Sequence, residues 1–147
     1  METAADFVRM MARGCGFGKV LDVETLEPVS VEAMPPYLLE QVAPMLAPRC
    51  CYNNSFYVSE FFRPERDVRY CVGFAAGSIL PVGHAWVKVD GVYFDPTWQL
   101  FNRIGDLYMP FFELDPAQLL SVITANDCRP PEAWEVARTL FPATPTF

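Results

Sequence analysis

A single histidine, few basic residues and no long apolar run are the scarcities of this chain, and each excludes a class of function. One His, one nearby Asp and scattered cysteines provide no recognisable metal-ligand spacing, so neither a metal nor a cofactor is expected. Eleven Lys and Arg face eighteen Asp and Glu, a formal net charge of −7. With no basic face to displace counterions from a phosphate backbone, nucleic acid is not an expected partner. No segment approaches the ~20 apolar residues of a membrane span, so no membrane association is expected. The first residues lack a basic segment followed by an apolar run, so no signal peptide is expected. Five cysteines (Cys15, Cys50, Cys51, Cys71, Cys128) are an odd number without framework spacing. They read as reduced thiols of a cytoplasmic protein. Gly14-Cys15-Gly16-Phe17-Gly18-Lys19 is not a phosphate loop either, because the four-residue gap and the Ser/Thr after the lysine are missing.

What the chain does have is apolar mass. Of its 147 residues 52% are hydrophobic, with 12 Phe, 6 Tyr and 3 Trp, enough for one domain (1–147) with a sizeable core. Thr3 can cap a first helix over 4–13. A second helical stretch, 31–47, is interrupted by Pro35-Pro36. A third, 51–62, sets Cys51, Ser55, Val58 and Phe62 on one face. Three strands follow at 68–75, 82–89 and 92–95, then a loop rich in aromatics. Helices opened by Asp115-Pro116 and Pro130-Pro131 come next, and the tail 142–147 is expected to fray.

Asp90-Gly91 between the second and third strands is a two-residue hairpin signal. In that register Val89 faces Val92, Lys88 faces Tyr93, Trp86 faces Asp95 and His84 faces Thr97. Ala85, Val87, Val89, Val92 and Phe94 then form an apolar face, and His84, Trp86, Lys88, Tyr93 and Asp95 form the other. His84 and Asp95 become diagonal neighbours, roughly 5.5–8 Å apart along the backbone. A carboxylate there can fix the imidazole tautomer and stabilise an imidazolium. A three-residue bulged turn would separate the pair.

A base oriented in this way calls for a nucleophile. A cysteine at a helix start has the helix dipole and unsatisfied N–H groups to favour a thiolate and receive an oxyanion. Cys51 opens the third helix, and Cys50, one residue earlier and about 100° round, is its rival. Cys71 sits in a strand as a small core residue; Cys15 and Cys128 lie in turns.

The order helix with Cys, strand with His, strand with Asp resembles the core of transglutaminase-like and papain-like cysteine enzymes. Three segments carry the likeness: Cys51-Tyr52-Asn53-Asn54, Gly83-His84-Ala85-Trp86-Val87-Lys88-Val89-Asp90-Gly91 and Phe94-Asp95-Pro96-Thr97-Trp98. The short hairpin and tight spacing are also similar to the small leader peptidases of lasso-peptide maturation. The likeness covers 50–98. It implies an α+β fold, in which the nucleophile helix packs on a small antiparallel sheet with flanking helices. It further implies Cys51 as nucleophile, His84 as base and acid, Asp95 as orienter, and Trp86 and Trp98 lining a substrate site. Tyr70-Cys71-Val72-Gly73-Phe74-Ala75 resembles the nucleophile stretch of some members, but Cys71 precedes His84 by only 13 residues, too few for a helix and a strand. Papain-like enzymes complete the oxyanion hole with an upstream glutamine, and Gln41 is the one candidate before Cys51. The expected function is thiol-dependent hydrolysis or acyl transfer at an amide, a peptide bond or Gln side chain, on a peptide or protein substrate. A binding module that kept the fold and lost turnover is the alternative.

Overall fold

In a computed structural model, residues 3–78 and 80–142 are described. The fold is α+β, built on a five-stranded mixed sheet. In chain order the elements are α1 Ala4–Gly14, β1 Val31–Glu32, α2 Pro36–Val42, α3 Cys51–Phe62, β2 Val68–Ala76, β3 Val82–Val89, β4 Val92–Phe94, α4 Pro96–Phe101, β5 Leu107–Leu114, α5 Pro116–Ala125 and α6 Ala133–Leu140. Strand order is β1-β4-β3-β2-β5, with only the β1–β4 pair parallel. No described helix is long and apolar enough to cross a membrane.

Period-2 alternation divides the sheet into two faces. Tyr70, Val72, Ala85, Met109, Phe112 and Leu114 pack against α1, α5 and α6, and Val68, Val87, Val89 and Phe94 pack against α2 and α3. Each large side chain buried there contributes about 1.5–3 kcal/mol. The opposite face holds a smaller aromatic cluster, in which Cys71, Ala75, Trp86 and Tyr108 are buried and Trp98 and Ile104 lie against them.

The hairpin has both turn residues at positive φ, Asp90 at 50° and Gly91 at 85°, the backbone of a two-residue primed turn. Its ladder pairs Val89 with Val92, Lys88 with Tyr93 and Val87 with Phe94, the register expected from the sequence. The expected pairs Trp86–Asp95 and His84–Thr97 do not form. Asp95 leaves the ladder to cap α4, its Oδ1 accepting from the Trp98 backbone N–H at 3.2 Å, with Pro96 in the first turn.

Two other stretches differ from the sequence reading. Residues 31–47 are not one interrupted helix: Val31–Glu32 is a strand, and Pro36 begins α2 instead of breaking it. The expected aromatic loop is an edge strand, β5. Pro110 within it argues for a loop, since it lacks an N–H, but an edge strand needs only one hydrogen-bonded flank. The β2–β5 register shifts between Val72 and Gly73, next to the Gly73–Pro110 pair. Gly73 is required there, because a Cβ would stand 2.1 Å from the Met109 carbonyl oxygen. In the C-terminal tail, residues 143–147 lie outside the described residues.

Candidate active site

Asp95 is the fixed point of the site. It is wholly buried, and three donors converge on its carboxylate: the Trp98 N–H on Oδ1, and both His84 Nε2 (2.8 Å) and the Tyr108 hydroxyl (2.6 Å) on Oδ2. The Tyr108 oxygen in turn accepts from the Gly105 N–H at 2.9 Å. Tyr108 was not among the residues singled out from sequence. Only the pairing of β5 beside β2 brings it under the sheet to Asp95. Burial, followed by the Asp95 charge and hydrogen bond, holds its hydroxyl well above the ordinary phenol range, so it remains a donor.

His84 is buried between rings. Trp98 stacks on it with centroids 4.1 Å apart and planes 28° from parallel, and Trp86 lies 6.2 Å away at 24°. With Nε2 given to Asp95, Nδ1 is the ring nitrogen left for another partner. Cys51 is near enough to act on the same ring and favour its charged form, and among the five thiols it is the one that does so. Burial is the largest influence on His84 and lowers its pKa. The hydrogen bonds and charges of Asp95 and Cys51 outweigh it and raise the value from 6.5 to about 9. At neutral pH the ring therefore carries its proton.

Cys51 is the first residue of α3, and its position is set by Asn54 one turn on. The buried Asn54 amide accepts from the Ala47 N–H at 3.1 Å and donates to the Ala47 carbonyl at 2.8 Å and to Thr97 Oγ1 at 3.1 Å. It thus clamps the 47–50 turn onto α3 and ties α3 to α4. Because β4 ends at Phe94 opposite Val87, the His84 end of β3 has no β4 partner. That open flank is where α3, packed on one face of the sheet, comes to a histidine belonging to the other. The first N–H groups of α3 have no carbonyl one turn earlier and are available to an anion.

The remaining expected site residues lie elsewhere. Trp86 is 0% exposed, so it backs His84 and cannot line a substrate surface. Trp98 is half-buried and shields the imidazole, leaving only its outer part for contact. Gln41 is exposed on α2 and donates its amide to the Tyr37 carbonyl of its own helix at 3.1 Å, so it supplies no oxyanion donor here. Cys50 is the N-cap residue of α3. Cys71 is fully buried against Trp86 and Tyr108, and its thiol is held well above the ordinary range, first by burial. Among the described residues no group of three or more His, Cys, Asp and Glu could hold a metal ion.

Asp95 orients His84, His84 meets a helix-start thiol, and two aromatic rings exclude water from the imidazole: an arrangement able to take a proton from sulfur and return it to a leaving group. Comparison of the chain with protein-family models, with curated proteins and with solved structures gives no match.

Proposed function

We propose that the chain is a thiol-dependent hydrolase or acyl transferase acting on an amide, with a core of the papain/transglutaminase kind. The observation that carries the reading is the 2.8 Å bond between His84 Nε2 and the buried Asp95, with Cys51 at the start of α3 near enough to act on the same ring. Cys51 Sγ attacks the amide carbonyl carbon, and its proton resides on His84 Nδ1. The oxyanion forms against the N–H groups at the start of α3. The C–N bond breaks as His84 gives that proton to the leaving nitrogen, and an acyl thioester remains on Cys51. Water, or an amine in transfer, then attacks the thioester. Its proton passes to His84, and the C–S bond breaks to restore the pair. Asp95 keeps the ring in one orientation and stabilises its charge throughout without taking the proton. Peptide bonds and glutamine side chains present the same acyl centre, and both are within this chemistry.

A substrate-independent test is the labelling rate of all five thiols by iodoacetamide at neutral pH, mapped by peptide mass analysis. Cys51 is expected to react fastest, ahead of the more exposed Cys15 and Cys128, because His84 withdraws its proton. His84→Ala is expected to abolish that advantage. Equal rates at Cys51 and Cys15 in the wild type would sink the enzyme reading. So would full biological activity in a folded Cys51→Ala protein, which is the behaviour of a binding module.

A further inference from the structure

The start of α3 offers backbone N–H groups to an oxyanion, but Gln41, the side-chain donor expected to join them, is turned to its own helix. The charge of Cys51 marks which side chains stand close to the sulfur. Among the described residues two phenols feel it, Tyr52 and Tyr70, each behind burial as the main cause of a raised pKa, so both keep their protons. Tyr70 is fully buried, and its hydroxyl is committed to the Pro131 carbonyl at 2.7 Å. The Asn54 amide is likewise committed to Ala47 and Thr97. Ser55, one turn after Cys51, is wholly buried and out of reach of a substrate.

Tyr52 differs on each count. It follows Cys51 in the first turn of α3 and is half-buried. Its ring packs on the main core, which fixes where the hydroxyl lies. Among the described residues that hydroxyl makes no hydrogen bond, and a Cβ on Gly83 would stand 3.1 Å from it. Gly83 precedes His84, so the hydroxyl sits against the strand that carries the base while its own helix carries the nucleophile. Tyr52 and Gly83 also line a cleft of about 550 Å³, through which a carbonyl can reach the hydroxyl. Cys51 acts on Tyr52 through charge, without a hydrogen bond to the sulfur. An oxyanion donor has this placement, since it stands off from the sulfur by the width of the reacting C–O group.

We propose that Tyr52 is a further catalytic residue, its hydroxyl donating to the oxyanion of the tetrahedral intermediate beside the N–H groups of α3. The proposal rests on the enzyme reading. As Cys51 Sγ bonds the carbonyl carbon, the π pair moves to oxygen, and the Tyr52 O–H donates to that oxygen without giving up its proton. As the C=O re-forms, the pair returns and the leaving group departs. The proton stays on Tyr52 because burial and the Cys51, Glu132 and Glu135 charges all oppose a phenolate. Gly83, having no side chain, leaves the hydroxyl its place.

The test is acetylation of Cys51 by p-nitrophenyl acetate at neutral pH, followed in a single turnover by p-nitrophenolate release and located by peptide mass analysis. The C–S bond forms, the ester C–O bond breaks, and p-nitrophenolate leaves without needing a proton, so the rate reads nucleophile and oxyanion alone. Iodoacetamide alkylation of the same thiol is the control, because displacement at a saturated carbon develops no oxyanion. Tyr52→Phe keeps the ring and is expected to slow acetylation about 10²-fold while leaving alkylation unchanged. Gly83→Ala should crowd the hydroxyl and slow acetylation, but should add nothing in the Tyr52→Phe protein, where the crowded oxygen is gone. Acetylation at full rate in Tyr52→Phe, with Cys51 still acetylated ahead of Cys15, would overturn the role of Tyr52 and leave the enzyme reading standing. An equal loss of acetylation and alkylation would overturn it too, since the tyrosine would then only place the thiol. If wild-type Cys51 is acetylated no faster than Cys15, the enzyme reading fails and the proposal falls with it.

Discussion

At the scale of single residues the site is a competition for one buried proton. Burial drives the proton off His84; the Asp95 carboxylate and the Cys51 sulfur hold it there, and they win. Because His84 is the only histidine, its ring resonances can be followed by NMR without assignment ambiguity. Their titration midpoint is expected near pH 9 in the wild type. Asp95→Asn removes the charge and is expected to move the midpoint down, toward or below 6.5, because burial is then less opposed. Tyr108→Phe acts in the opposite sense: the lost donor leaves more negative charge on the oxygen that faces His84, so the midpoint rises. A midpoint unmoved by Tyr108→Phe would mean that the tyrosine only fills space. The same shift has a stability counterpart. The folded-state value lies above the unfolded one, so His84 stabilises the fold fully below about pH 6.5. That contribution is lost as pH rises through about 9. Urea unfolding from pH 6 to 10 should therefore show a decline in the wild type that is absent from the His84→Gln protein.

At the scale of elements, two short pieces of backbone place Cys51 and the His84–Asp95 pair. The first is the start of α3, held by Asn54. Asn54→Ala leaves the Ala47 N–H and carbonyl without this partner and is expected to cost about 1–3 kcal/mol in urea unfolding. It should also slow Cys51 labelling, because the turn that positions the thiol is no longer clamped. The second is the Asp90-Gly91 hairpin, which fixes the β3–β4 register. A Cβ at Gly91 meets nothing within 4 Å, so the penalty there is purely conformational. Gly91→Ala is expected to cost about 1–2 kcal/mol without any packing defect. Gly91→Val should cost more, through its branched side chain at φ 85°. Gly73 is the contrasting case. Its φ is ordinary, and the obstacle to a side chain is the Met109 carbonyl across the irregular β2–β5 ladder. Gly73→Ala should therefore cost about 3 kcal/mol or more and loosen β5, and with it the Tyr108 bond to Asp95.

At the scale of the whole molecule, the sheet separates two chemistries. One face is covered by helices and carries most of the apolar core; the other carries the aromatic cluster that encloses His84 and Asp95. The thiols record this layout. Cys15 and Cys128 are exposed, Cys50 and Cys51 are half-buried, and Cys71 is enclosed at the centre of β2. Cys71 should resist modification in the native protein and react only through global opening, because β2 is hydrogen-bonded on both flanks. Its labelling rate should therefore fall in proportion to the unfolding equilibrium as denaturant is removed. Cys15 should react at a rate independent of denaturant. Native-state labelling of Cys71 as fast as that of Cys15 would contradict the closed sheet.

Much of the site was determined locally and was legible in the sequence. Asp90-Gly91 sets its own turn and three-pair ladder, and the 3.6-residue spacing of Cys51, Ser55, Val58 and Phe62 defines α3 with Cys51 at its start. Thr3 and Asp115-Pro116 announce α1 and α5 through their caps. Asp95-Pro96 carries the same signal as Asp115-Pro116, but adjoining a strand it read as a strand end, and α4 went unread. What only the tertiary structure decided depends on partners distant along the chain. Pro110 forbids an ordinary central strand, and β5 exists because β2 offers it one flank and Gly73 gives way at the irregularity. Tyr108 meets Asp95 through that pairing, Trp86 is sealed behind His84 by Tyr108, and Gln41 turns to solvent because α2 begins at Pro36. Local signals are written in φ/ψ preference and periodicity, which a few neighbouring residues fix. Contacts between β5, α4 and α3 depend on how loops close, and no short stretch of sequence encodes that.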